Sequence, residues 1–496
     1  MEGTTFLSVL RRLAESDPGR PALTCGDQTL TRAEFTERVE RLAALFAGRG
    51  VTQGSAVTIG LPNSIGFVEA MFAAWAVGAV PQPISDRLPP RERAAIVDLA
   101  NPALVVESVP GELPAGEFTP GVSPEWKLMA SGGSTGRPKL IAATQPALFE
   151  QVGAAAGLVC LRPDGCVLIT GPLAHNGPFV VAALAMLLGN HVVLMPRFHP
   201  AQTLDLVERH RVTWLLLVPT MMLRIWRLPE AARLAADVSS LEVAFHLAAP
   251  CPAWLKQAWI DWLGPQTVVE LYGGTELQAV TLISGTEWLA HRGSAGRTVL
   301  GEIEIRDPDG RPVPVGEEGE IWMRRGPDAA LPYRYISATA RRAPDGWESL
   351  GDIGKVDADG YVYITDRLAD MILVGGANVY PAEIEAALDE HPAVRSCCVI
   401  GLPDEDLGNV PYAIVELSEP ADDAGLLAHL RQRLAPYKLP RVIERATAPL
   451  RDDAGKVRRS ALRAERIADP DRRDRAAQAG VAGRDGDGAG HAGERS

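Results

Sequence analysis

Five short clusters hold the residues of this sequence that are equipped for chemistry. The first is Ser131-Gly-Gly-Ser-Thr-Gly-Arg-Pro-Lys139. Its glycines let the backbone approach closely, so N–H groups and hydroxyls can close around an anion, and phosphate is the expected partner. It is not a Walker A sequence, because no Gly-x-x-x-x-Gly-Lys-Ser/Thr can be read from it. The second, Glu270-Leu-Tyr-Gly-Gly-Thr-Glu276, combines an aromatic ring, two glycines, a hydroxyl and a carboxylate. A tyrosine ring can cover a nucleobase, and a carboxylate can hold Mg²⁺ while phosphates complete the shell. The third pairs Gly351-Asp352 with Arg367; Asp352 has the acceptors for both hydroxyls of a ribose. The fourth is the loop Gly375-Gly376-Ala377-Asn378, and the fifth is Gly455-Lys456 after a polar turn. Each has a plain alternative in isolation: a flexible loop, a tight turn or a solvated lysine.

The elements that must position these clusters follow from the pattern of apolar residues. Residues 5–50 read as helical with a strand pair near Ala22–Leu30. Strands and helices then alternate, with strands at Ala56–Gly60, Cys166–Thr170, His191–Leu194, Trp214–Val218 and Thr267–Leu271. Helices are expected at Ile65–Val77, Gln145–Leu158, Phe179–Leu188, Ala201–His210 and Ala253–Leu263. Such alternation predicts a layered α/β fold. The first cluster lies between apolar runs and reads as strand–loop–strand. After Gly296, short strands broken by Gly, Pro and Asp predict a small β-rich section, and a second α/β unit follows. The expected organisation is a domain over 1–366, a hinge at 367–370, a small domain over 371–468 and a disordered tail over 469–496.

Composition excludes several classes. The net charge of -13 disfavours nucleic acid as a partner. Six cysteines without Cys-x-x-Cys spacing argue against a zinc site and fit a reducing, cytoplasmic setting. No secretion signal is read at the N-terminus, and no apolar run is long enough for a membrane span. Oligomeric state is not legible.

In order, spacing and flanks the five clusters together resemble the adenylate-forming enzymes, the superfamily of acyl-CoA synthetases, adenylation domains of nonribosomal peptide synthetases and luciferases. The resemblance spans roughly residues 5–465. It implies a large N-terminal domain, a small mobile C-terminal α/β domain, and a two-step reaction. A carboxylic acid attacks the α-phosphate of ATP, and a thiol, usually CoA, then takes the acyl group from the adenylate. It further implies roles for single residues. Ser131, Gly132, Gly133, Ser134, Thr135, Gly136 and Lys139 would hold the β- and γ-phosphates. Thr275 would touch the α-phosphate and Glu276 would bind Mg²⁺. Tyr272 would stack on adenine beside Ala248, Ala249 and Pro250. Asp352, helped by Arg367, would bind ribose. Lys456 would reach the reacting carboxylate from the small domain. That domain would then rotate and present Gly375 and Gly376 to the thiol. Two departures stand out: Ala369 replaces the Asp or Lys often found at the hinge, and Ala377 interrupts a Gly-Glu-Asn pattern.

The same resemblance places Pro172-Leu-Ala-His-Asn-Gly177 along the acyl pocket, with His175 beside the adenylate and Asn176 next to it. Phe179, Phe245, His246, Leu247, Gly273 and Gly274 are the other candidate pocket residues. No Asp suited to an α-ammonium is found, so a non-amino acid of aryl, fatty or steroid type is expected. Trp254, Trp259 and Trp262 recur on an expected helix and read as packing. CoA is the expected acceptor; transfer to a carrier protein, or use of an unusual acid such as nitrite, are the alternatives.

Overall fold

The computed structural model describes residues 3–132, 138–374, 377–404, 406–452 and 455–469. Gly133, Ser134, Thr135 and Gly136 of the first cluster, Gly375 and Gly376 of the fourth, and the tail from Pro470 lie outside the described residues. The chain divides into two compact units. The first comprises Met1–Gly316, Trp322–Leu350 and Val356–Tyr363; the second comprises Glu317–Ile321, Gly351–Lys355 and the chain from Ile364 onward.

The first unit is built on the expected α/β alternation. Strands Val268–Gly273, Val243–His246, Trp214–Leu217, Cys166–Ile169, His191–Leu194 and Pro21–Cys25 run parallel, side by side in that order. Parallel strands must be covered on both faces, and their sequences are accordingly near-continuous apolar runs: Leu215, Leu168 and Val192 are fully buried. A smaller parallel sheet joins Ala56–Ile59 to Val80–Pro83 and Leu104–Val106. Between these sheets lies the helix Ile65–Ala76, buried along its whole length. A helix apolar but for one residue, Glu69, which pairs with Arg38, is stable inside such a core. Ser64 starts it by accepting a hydrogen bond from the Phe67 amide at 3.2 Å.

The third sheet of this unit carries the first cluster. Leu128–Gly132 and Pro138–Ala143 pair antiparallel from Leu128↔Ala142 to Gly132↔Pro138, as the two apolar runs predict. A strand not foreseen from the sequence, Tyr333–Ile336, adds to the far edge with Tyr335 opposite Ile141. The helix expected at Gln145–Leu158 is two short turns, Phe149–Val152 and Ala155–Leu158. Gly153 lies between the pieces and Gly157 within the second, and glycine is a poor helix former, so neither stretch sustains a longer helix.

The second unit has its own core. Its sheet orders Ala377–Val379, Ile372–Val374, Gly408–Leu417 and Val394–Asp404, with Val442–Arg445 parallel to Gly408–Leu417. Helices Pro381–Asp389 and Asp423–Arg431 contribute fully buried Ile384, Leu388, Leu426 and Leu430 to that core. A large α/β unit and a small α/β unit, each with its own core, agree with the fold class read from the sequence.

Candidate active site

The site in the first unit is centred on Glu276. The turn that follows the interior strand Val268–Gly273 folds the carboxylate inward, leaving the residue 5% exposed. Lys139 Nζ lies 3.2 Å from Glu276 Oε1, and the Tyr335 hydroxyl donates to the same oxygen at 2.6 Å. Lys139 Nζ also sits 4.0 Å from the centre of the Tyr335 ring. The loop lysine, the carboxylate and the tyrosine thus form one charged, partly buried group. Burial and the adjacent carboxylate both push the Tyr335 hydroxyl's pKa far up, so it serves as a donor at neutral pH.

Gly274 lies close to the ends of two side chains. A Cβ on it would meet Leu350 Cδ1 at 2.5 Å and Glu276 Oε2 at 2.9 Å. The turn also holds Leu277 at φ 59°, and the Leu247–Pro250 turn holds Ala248 at φ 76°. Side chains seldom adopt that left-handed backbone, and such strain gathers where a loop is held for a purpose. Behind Glu276, buried Glu348 accepts from Tyr333 Oη at 2.7 Å and Gln278 Nε2 at 2.9 Å, which fixes the strand that carries Tyr335.

The remaining candidates of this unit fall around two elements. Asn176 opens the helix Asn176–Leu187, with His175 at its N-cap. Leu247 packs against that helix start: a Cβ on Gly177 would lie 3.2 Å from Leu247 Cδ1. Phe179 is fully buried with its ring 5.8 Å from that of Trp75, and Phe245 is fully buried against Trp214 at 5.2 Å. Phe179, Phe245 and Leu247 belong to one apolar cluster. His246 differs. Strand alternation turns it to the opposite face of the sheet, where Glu270 and Lys256 act on it, and neither of its ring nitrogens has a partner. Beneath it Lys256 Nζ and Glu270 Oε2 are 2.5 Å apart. Tyr272, near the end of the strand, and Thr275, in the turn, are half-buried; Gly273, Ala248 and Pro250 are exposed, and Ala249 is half-buried. Trp254 and Trp262 pack against the same apolar cluster that holds buried Trp259, with the Trp259 and Trp262 rings 5.2 Å apart, so the three serve as packing.

In the second unit, Asp352 is buried and Arg367 Nε lies 3.2 Å from its Oδ1. Lys456 stands on a tight turn and is exposed; its amide donates to Asp452 Oδ1 at 2.8 Å, with Gly455 at φ 75°. Asp370 is held by Arg459 at 2.6 Å, and Arg459 also pairs with Glu385.

Two residues of the first unit's site were not singled out from the sequence. Tyr335 reaches Glu276 from 59 residues away through strand pairing. Lys127, immediately before the strand Leu128–Gly132, is 6% exposed and donates to Asn176 Oδ1 at 2.6 Å. Burial lowers its pKa to about 8, with attraction from Glu276 opposing that shift. A lysine among apolar residues is the signal for it; the strand's destination is not written in the sequence.

A hard carboxylate oxygen beside a lysine, next to a strand–loop–strand rich in glycine, suits a magnesium nucleotide: Mg²⁺ takes one or two carboxylates and completes its shell with phosphates and water. The sequence matches the AMP-binding enzyme family over residues 10–122 and 127–334, and that family's C-terminal domain over 383–455. The chain belongs to the AMP-binding enzyme family. Among its relatives is the feruloyl-CoA synthase of Amycolatopsis sp, 35% identical over 481 residues, covering 91% of this chain and 97% of the relative. The 2-succinylbenzoate–CoA ligase of Geobacillus kaustophilus is 32% identical, covering 88% of this chain and 93% of that one. Among solved structures, o-succinylbenzoate CoA synthetase of Bacillus subtilis, in complex with its acyl-adenylate intermediate, superposes with a TM-score of 0.78. It is 27% identical, with 93% of this chain and 98% of that one covered. The same synthetase in complex with ATP and magnesium gives a TM-score of 0.75 at 28% identity, with 92% and 98% covered. As a member of this family the chain is an AMP-forming acid–CoA ligase working with ATP, Mg²⁺ and CoA. Among the described residues no helix is long and apolar enough to cross a membrane.

Proposed function

We propose that the acid is a planar aryl or arylpropenoic carboxylic acid, activated as its acyl-adenylate and passed to CoA. The observation that carries this reading is the likeness to a feruloyl-CoA synthase, 35% identical over 91% of the chain. Half-buried Leu247, beside the start of the Asn176–Leu187 helix, supplies an apolar neighbour there, while Phe179 and Phe245 support it from the core.

In this reading Glu276 holds Mg²⁺, and Ser131 and Lys139 with the loop between them hold the β- and γ-phosphates. Thr275 meets the α-phosphate, and Tyr272 covers adenine beside Ala248, Ala249 and Pro250. Asp352 with Arg367 binds ribose. His175 lies beside the adenylate. Lys456 neutralises charge at the reacting carboxylate and α-phosphate, where charge builds on a group already flanked by anions and electrostatics must supply most of the rate. The Gly375–Gly376 loop serves the thiol step. The domain boundaries at 366 and 371 and the rotation of the small domain are part of the same proposal. Six free thiols fit a reducing compartment, and the cytoplasm is the proposed location.

The test is a panel of benzoate, cinnamate, ferulate, octanoate and a steroid acid, scored by AMP release with CoA present. The aryl acids are expected to give the highest kcat/KM. A preference for octanoate or the steroid acid would overturn the assignment, and AMP release that ignores CoA but responds to a carrier protein would move the acceptor.

A further inference from the structure

Nothing assigned so far in the first unit receives the carboxylate of the acid. Lys127 is placed for that. Its side chain is almost wholly buried. The described groups in contact with its ammonium are neutral, the Asn176 amide oxygen at 2.6 Å and the Trp126 ring, whose centre is 5.3 Å away, while Glu276 attracts it from beyond ion-pair distance. Among the described residues no carboxylate lies within ion-pair distance of Nζ. An ammonium has three N–H donors, and Asn176 takes one. A buried charge with no counter-ion in contact is costly, so a folded protein ordinarily pairs or excludes it, and Glu276 offsets only part of that cost from a distance.

A second, independent feature lies at the same point. Asn176 is the first residue of a twelve-residue helix, and the N-cap residue His175 supplies no side-chain cap to its first-turn amides. The positive end of a helix and a buried ammonium thus converge where Leu247 marks the candidate acid pocket. Glu276 is near enough to attract the same lysine, so the convergence also lies toward the activation site.

We propose that Lys127, with the amide end of the Asn176–Leu187 helix, binds the reacting carboxylate of the acid substrate before adenylation. The nucleophile must be held close to a polyphosphate that repels it, and a cation on its far side offsets that repulsion while leaving one oxygen free to attack. The ammonium keeps its proton throughout. The C–O–P bond forms at the carboxylate oxygen, and pyrophosphate leaves with the electron pair of the broken P–O bond. This inference rests on the acid-activation reading.

Steady-state kinetics on the full chain separate the two. Wild-type AMP release with cinnamate, ferulate and octanoate tests the activation reading itself. Lys127→Met is expected to raise KM by about 10- to 100-fold for every acid turned over, the worth of one charge-assisted contact, while KM for ATP shifts less than about twofold. Lys127→Arg, which keeps the charge, should recover most of the loss. Should Lys127→Met fail to fold, Asn176→Asp takes its place: it retains the lysine's partner but fills the site with an internal carboxylate, and the same rise in acid KM is expected. An unchanged acid KM in the folded variant would overturn the proposal. So would a loss confined to acids bearing a second polar group, which would make Lys127 a distal contact.

Discussion

At the scale of single residues, the site is organised by one oxygen. Glu276 Oε1 receives both Lys139 and Tyr335, and the Tyr335 ring is also the surface over which Lys139 lies. Tyr335→Phe removes one hydrogen bond to a carboxylate and keeps the ring. It should lower kcat/KM about tenfold, the worth of ~1.4 kcal/mol, with little effect on thermal stability; AMP release across a Mg²⁺ titration is the measurement. Lys456→Ala should abolish ATP–pyrophosphate exchange, since the proposed role places its charge at the step itself; near-normal exchange in that variant would remove the assignment. What was legible at this scale was whatever is contiguous in the chain. Tyr272 ends a strand and Thr275 and Glu276 stand on the turn directly after it, and Ser131 and Lys139 flank one loop, so composition and spacing reveal them. Tyr335 and Lys127 owe their places to strand pairing and helix packing, which bring them to Glu276 and Asn176 from 59 and 49 residues away.

At the scale of elements, apolar runs fixed most strands to within a residue or two, because a parallel sheet covered on both faces demands continuous Val, Ile and Leu. Elements with a single buried face were harder: Pro90–Ala100 shows one fully buried apolar residue, Ile96, and carries no strong periodic stripe. Strand alternation has an energetic corollary at His246. Burial pulls its pKa down to about 4, with Glu270 opposing and Lys256 adding to the shift. The unfolded chain takes up its proton near pH 6.5. The neutral ring's contribution to stability is therefore present above about pH 6.5 and is lost as pH falls toward 4, approaching about 3 kcal/mol. His191 is shifted in the same direction by burial. His246→Leu also removes two unpartnered nitrogens. It should raise the melting temperature at pH 5 and flatten the acid side of a Tm–pH profile; an unchanged slope would contradict the burial argument.

At the scale of the whole molecule, two hydrophobic cores sit in two units, and the second unit recruits two short segments from far upstream in the chain. Length and composition pointed to more than one domain, but not to that discontinuity, since nothing in a strand's own residues tells which core it will join. The residues from Pro470 onward nearly lack large apolar side chains. Ending the chain at Asp469 should leave kcat and KM within about twofold and the melting temperature unchanged, because such a segment has little apolar surface to bury; a large loss of activity would assign the segment a part in the reaction.

The strand Val243–His246 and the turn after it also bear on how this enzyme can be altered. Phe245 and Leu247 face one way, His246 the other, and Glu276 sits beyond the end of the neighbouring strand. Leu247 leads directly into Ala248, Ala249 and Pro250, so the positions proposed for the acid and for the nucleotide share one turn. Phe179 and Phe245 are fully buried against Trp75 and Trp214, so changing them would cost stability before it could reshape any pocket; Leu247, half-buried at the turn, is the position of the three open to variation.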